Sequence, residues 1–132
     1  MKAEELRIGN LIDQGPMYGV LPVDAYELYQ YSLFKKGAKT AEYYKDWLPV
    51  TITEEWLLML GFDEHETFEN VFYQISGLPD KDFFWLGISV FDGYCDVTLR
   101  DMRDFESVAD MNDIKYVHQL QNLFFALKGK EL

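Results

Sequence analysis

Several things are scarce in this sequence, and each shortage excludes something. Of 132 residues only Cys95 is a cysteine, so no intramolecular disulfide can form, whereas small secreted domains usually carry several pairs. There are four prolines and no Pro- or Ser-rich stretch, so no linker divides the chain. Two histidines, His65 and His118, and no cysteine pair leave no zinc-binding pattern. No apolar run approaches the roughly 18 residues of a membrane-spanning helix. Basic residues number 12 against 23 acidic, a formal net charge of −11. That balance argues against a general nucleic-acid binder, which neutralises phosphates with cations. P-loop, GxGxxG, GxSxG, HExxH and CxxC motifs are all missing. The first residues, from Met1 to Arg7, are charged and lack an apolar signal core, so the expected location is the reduced cytoplasm. No cofactor or metal is implied.

What is present points to a folded core. Hydrophobic residues make up 48% and aromatics 17%, far from a disordered composition, and the length suits one domain, 1–132. The acidity is localised. Residues 46–113 hold 16 acidic and 3 basic residues, net −13, and the flanks hold 7 and 9. This middle is either a solubilising surface or one that docks to a basic partner.

The clearest local pattern is a hairpin over 84–91 and 94–101. Asp92-Gly93 favours a two-residue type I′ turn, which pairs Phe91 with Tyr94 and Val90 with Cys95. One face then carries Val90/Cys95, Ile88/Val97 and Leu86/Leu99. The other carries Ser89/Asp96, Gly87/Thr98 and Trp85/Arg100, the last a cross-strand cation–π pair. A one-residue slip would destroy this sorting. Residues 70–75 read as a neighbouring strand, and 76–80 supply turn residues.

Three helices are expected. The C-terminal one covers 113–128, capped by Asn112 or Asp113, with Ile114, Val117, Leu120, Phe124 and Leu127 on its apolar stripe and Gly129 beyond its end. A short one covers 54–60, capped by Thr53 and stopped by Gly61. Residues 25–36 read as helix from a capping box at Asp24 and Glu27 and an end at Lys35-Lys36-Gly37, although Tyr29, Tyr31 and Leu33 alternate as in a strand. Strands are expected at 6–13 and 20–23, and residues 50–52 read as extended.

Each candidate for chemistry has a plainer reading beside it. Cys95 faces inward in the hairpin register with Asp96 next in sequence. Both features raise a thiol's pKa, so a buried structural cysteine is favoured over a nucleophile. His65, in Asp63-Glu64-His65-Glu66, reads as part of a solvated acidic turn, not a metal site. Lys115, His118, Gln119 and Asn122 form one helical stripe at i, i+3, i+4 and i+7. Uncharged amides beside a histidine point to hydrogen bonding with a loop backbone, a second subunit or a ligand, and make these four the leading interaction candidates. Tyr29, Tyr31, Lys35 and Lys36 are the secondary surface candidates, in the one stretch that mixes aromatics with clustered lysines. Such a mixture serves single-stranded nucleic-acid binding, but core packing plus a protein-interaction surface is the favoured reading.

Three segments, Leu6-Arg7-Ile8-Gly9-Asn10, the run from Thr51 to Phe62 (TITEEWLLMLGF) and the run from Ile114 to Gly129 (IKYVHQLQNLFFALKG), resemble in this order a group of small proteins of gut anaerobes and their phages or mobile elements. The resemblance implies a bacterial, cytoplasmic, phage-linked protein. It carries no activity and no catalytic residues.

The sequence therefore predicts a single α+β domain. An antiparallel sheet of about five or six strands packs against the 113–128 helix, with the 54–60 helix at an edge. The leading functional expectation is a non-catalytic interaction module with an unidentified protein partner or a second copy of itself. The alternatives are a small enzyme or ligand binder with a pocket near His118, and a single-stranded nucleic-acid binder through 26–45.

Overall fold

The computed structural model describes residues 1–66, 71–75, 84–91, 94–101, 107–111 and 113–128. For His65, Glu66 and several residues of the larger sheet, only the backbone is described. The architecture is α+β, with all strand pairs antiparallel. A three-stranded sheet orders β1 (Leu11–Asp13), β2 (Val20–Pro22) and β3 (Leu48–Pro49) as β2-β1-β3. A five-stranded meander follows: β4 (Asp63–Glu66), β5 (Val71–Ile75), β6 (Phe84–Phe91), β7 (Tyr94–Asp101) and β8 (Ser107–Asp110). The helices are α1 (Ala25–Lys35), α2 (Glu54–Met59) and α3 (Val117–Lys128).

The β6–β7 hairpin has the register that the alternation dictates, from Phe91↔Tyr94 out to Phe84↔Asp101. Leu86, Ile88, Cys95 and Val97 are buried, and Asp96 is exposed. A polar/apolar alternation of period two leaves no other register that buries one face. Trp85 and Arg100 are cross-strand partners, but their side chains, the Asp92-Gly93 turn, residues 76–80, Asn112 and Gly129 lie outside the described residues.

α1 and α2 share one construction. The side chain of Asp24 accepts from the Glu27 N–H at 2.7 Å, and that of Thr53 from the Trp56 N–H at 3.3 Å, each satisfying a donor the first turn cannot use. α2 ends in a Schellman motif. The Gly61 N–H donates to Leu58 and the Phe62 N–H to Leu57 (3.1 and 2.9 Å), which needs Gly61 at φ +97°, a region costly for any residue with a Cβ. α1 closes the same way through Gly37 and Ala38. The strand-like alternation in α1 does not win, because Asp24 nucleates the helix and Tyr31 and Tyr29 then fall on its buried and exposed sides.

Three local expectations are corrected. The strand expected from residue 6 starts only at Leu11. Residues 3–5 form a 3-10 turn, Gly9 sits at φ +92°, and the Asn10 side chain accepts from the Arg7 N–H at 2.7 Å, so the chain bends twice before it can extend. His65 lies in β4, paired with Phe72, and not in a turn, because five consecutive backbone-paired strands absorb the acidic segment. The last helix starts at Val117, not at 113. Tyr116 bridges Thr51, the Ile52 N–H donates to Lys115 and the Val117 N–H to Val50. Residues 115 and 116 are thus held against 50–52 immediately before the helix, and Asp113 lies too far ahead to cap it.

Among the described residues the interior is formed by two apolar clusters. The larger joins the five-stranded sheet to α2, α3 and residues 50–52, with Leu57, Leu86, Ile88, Val97, Val117 and Leu120 at its centre. The smaller holds Leu6, Ile12, Val23, Tyr31, Tyr44 and Trp47. Tyr31 stacks on Trp47 at 4.9 Å between centroids, and Tyr44 meets the same indole edge-on at 5.2 Å. Strand β1 belongs to both: Ile12 is buried in the smaller cluster, and Leu11 packs against the larger.

Candidate functional site

The amide-rich face of α3 is occupied by this chain's own backbone. Gln119 Oε1 accepts from the N–H groups of Lys115 (2.8 Å) and Tyr116 (3.1 Å), so it secures the turn into its own helix. Asn122 Oδ1 accepts from Asn10 Nδ2 at 3.0 Å, and Asn122 Nδ2 donates to the Glu5 carbonyl at 2.7 Å. Between them, Gln121 Oε1 accepts from the Leu11 N–H at 2.8 Å and Gln121 Nε2 donates to the Gly9 carbonyl at 3.3 Å. A carboxamide has the same donor and acceptor as a peptide unit, and here it bonds the two groups flanking Asn10 as a neighbouring strand would. The helix thereby extends the small sheet's hydrogen bonding past the end of β3.

Gln121 and Asn10 are the members of this clasp that the spacing argument misses. Gln121 falls one turn from both Val117 and His118, on the buried side of the helix, and is 4% exposed. An uncharged amide on a core-facing position is the signal that would have found it.

His118 is fully buried. Tyr116 stacks on its ring, with centroids 5.9 Å apart and planes 8° from parallel. A Glu5 carboxylate oxygen lies 3.8 Å from Nε2. Neither ring nitrogen has a hydrogen-bond partner among the described residues. Burial holds the imidazole's pKa below its usual value, outweighing the pull of the Glu5 carboxylate, while the N-terminal ammonium adds to the lowering. Lys115, the fourth member of the stripe, is exposed and lies in a different place, on a cleft described below.

Cys95 is buried, its Sγ donating to the Ile114 carbonyl at 3.0 Å. Burial first, and then the neighbouring Asp96 carboxylate, push its thiol pKa up. Both features are those of an inert structural cysteine.

The secondary candidates separate. Tyr31 is core, 3% exposed, whereas Tyr29 on the same helix is 61% exposed. Tyr29, Lys35 and Lys36 line one groove of about 440 Å3 between α1 and the N-terminal segment, floored by Ile8 and Leu28. Behind α1 lies a polar cluster that motif reading does not reveal. The Tyr44 hydroxyl donates to the Glu27 carboxylate at 2.7 Å, Tyr43 donates to the same group at 3.1 Å, and the two hydroxyls are 3.2 Å apart. Glu27 thus gives its carboxylate to two tyrosines instead of completing a capping box. Desolvation, then the bonds to Tyr43 and Glu27, push the Tyr44 phenol far above its ordinary pKa.

A second cleft, of about 610 Å3, opens between residues 51–55, the β6–β7 end and residues 115–116. Its floor is apolar, from Ile52, Val90, Phe91 and the Cys95 edge; its rims carry Glu54 and Glu55 on one side and Lys115 on the other. His118 lines neither groove. Among the described residues no cluster of three or more His, Cys, Asp or Glu side chains could hold a metal ion, and no helix is long and apolar enough to cross a membrane. No family model, curated protein or solved structure matches the chain.

Proposed function

We propose that this protein is a non-catalytic protein-interaction module, associated with a phage or mobile element as the resemblance of its three segments implies. One observation carries the reading: the groove along α1 holds large apolar side chains in water on a rigid scaffold. Tyr29 and Ile8 are 61% and 57% exposed, and α1 is fixed from behind by the Tyr31–Trp47 stack and the Glu27 cluster. Aromatic residues on rigid elements supply contact area with little entropy left to lose, which is what interface centres use. Lys35 and Lys36 on the rim give such a contact electrostatic selectivity for a partner with an acidic border.

Affinity capture from a bacterial host tests this. The wild-type chain is expected to retain a defined protein that Tyr29→Ala combined with Ile8→Ser loses, while circular dichroism and urea midpoint stay unchanged because neither side chain is in the core. Retention of the same protein by both chains would sink the assignment to this groove. A second reading rests on Tyr29 standing beside two lysines, the combination that stacks bases and contacts phosphates. Fluorescence anisotropy with a labelled 12-mer of thymidine separates the two: binding that weakens steeply with salt and with Lys35→Glu would favour the nucleic acid.

A further inference from the structure

We infer that the 610 Å3 cleft between residues 51–55 and 115–116 is a separate docking site for a basic peptide segment that carries an apolar side chain next to a lysine or arginine. The argument combines shape, floor and charge. The volume is that of a site which encloses one or two side chains. Phe91 and Val90 both line the cleft, Phe91 41% exposed and Val90 partly buried, so its lining includes accessible apolar surface. The rim selects the charge. Glu54 and Glu55 are both exposed in the first turn of α2, and the stretch 46–80 that supplies this wall contains no lysine or arginine. Among the described lining residues Lys115 is the one cation, against the carboxylates of Glu54 and Glu55. A cationic segment gains by entering, and an acidic one is repelled. The rigidity of both walls follows from the backbone bonds Ile52–Lys115 and Val50–Val117 that join them. The site is distinct from the α1 groove, so it stands or falls independently of the reading given above.

The test uses the full-length chain and two labelled hexapeptides, one alternating lysine with tryptophan and one with glutamate in place of lysine. Saturable binding of the basic peptide, with no binding of the acidic one, is expected in anisotropy titrations. Glu55→Lys and Phe91→Ser should each weaken it at least about tenfold. Glu42→Lys changes the net charge by the same amount at an exposed position outside the cleft lining and should leave binding nearly unchanged. Equal loss in Glu42→Lys and Glu55→Lys would show attraction to overall negative charge and overturn the inference, as would no binding at all. Self-association in sedimentation velocity that Glu55→Lys abolishes would assign the cleft to a second copy and overturn it too.

Discussion

His118 is buried, and neither of its nitrogens has a hydrogen-bond partner among the described residues. Leaving a buried polar atom unbonded costs on the order of 1–3 kcal/mol, and His118 avoids a larger cost only by staying neutral. The sign of its pH effect follows. Its folded pKa lies below the unfolded value, so the unfolded chain binds the proton more readily. Stability is therefore level above the unfolded pKa near 6.5 and falls as pH drops through the window below it. Urea midpoints measured from pH 8 to pH 5 should show a loss on the acid side in the wild type that His118→Leu lacks. The comparison matters because a chain of net charge −11 also sheds self-repulsion as it is acidified, and that background is common to both proteins. Parallel pH profiles would show that Glu5, 3.8 Å away, compensates the imidazolium in full. Spacing on a helical wheel put His118 and Asn122 on a single polar stripe. It could not show that residues 5–11 cover that stripe, because the two segments lie more than a hundred residues apart and nothing local couples them.

At the scale of elements, several local readings folded as read. The hairpin register, the caps at Asp24 and Thr53, and the stop at Gly61 depend on neighbours within a few residues, and the structure reproduces each. The start of α3 and the shortening of the first strand depend on long-range bonds, from 50–52 to 115–117 and from 9–11 to 121–122. The Gln121 carboxamide is the most exacting of these contacts. Gln121→Leu keeps the volume and helix propensity close but orphans the Leu11 N–H and the Gly9 carbonyl together. The expected destabilisation is about 2–4 kcal/mol in urea unfolding. Native-state hydrogen exchange should show the Leu11 amide losing protection before the amides of β6 and β7 do. Gln121→Glu preserves the acceptor for Leu11 but loses the donor to Gly9 and buries a carboxylate against that carbonyl, so it should be destabilised relative to wild type, and less so at acid pH where the carboxyl is protonated and can donate. Equal stability of all three would mean that solvent satisfies both backbone groups and that the side chain merely fills space.

Across the whole molecule, composition divides by place. Seven aromatics between Tyr26 and Trp47 were legible as a crowd, but only the fold shows which of them face inward: Tyr31, Tyr44 and Trp47 make a core, and Tyr26 and Tyr29 make a surface. That second core is small, and three strands of two or three residues would not hold it alone. Its stability must be borrowed through β1, where Ile12 points into one cluster and Leu11 into the other, and through the α3 clasp on residues 5–11. Adjacent residues of one strand point to opposite faces, so neither cluster can lose β1 without opening the other. The two should therefore unfold as one cooperative unit. Tryptophan reports on each: Trp47 sits in the smaller cluster, and Trp56 packs against the larger. Two variants, one with Trp56 and Trp85 changed to Phe and one with Trp47 and Trp85 changed to Phe, isolate the two signals. Within each variant, the fluorescence midpoint in urea should coincide with the midpoint from far-ultraviolet circular dichroism. A Trp47 transition that precedes the loss of secondary structure would show a separable N-terminal unit. The bridge through β1 and the Gln121–Asn122 clasp would then be too weak to couple the clusters.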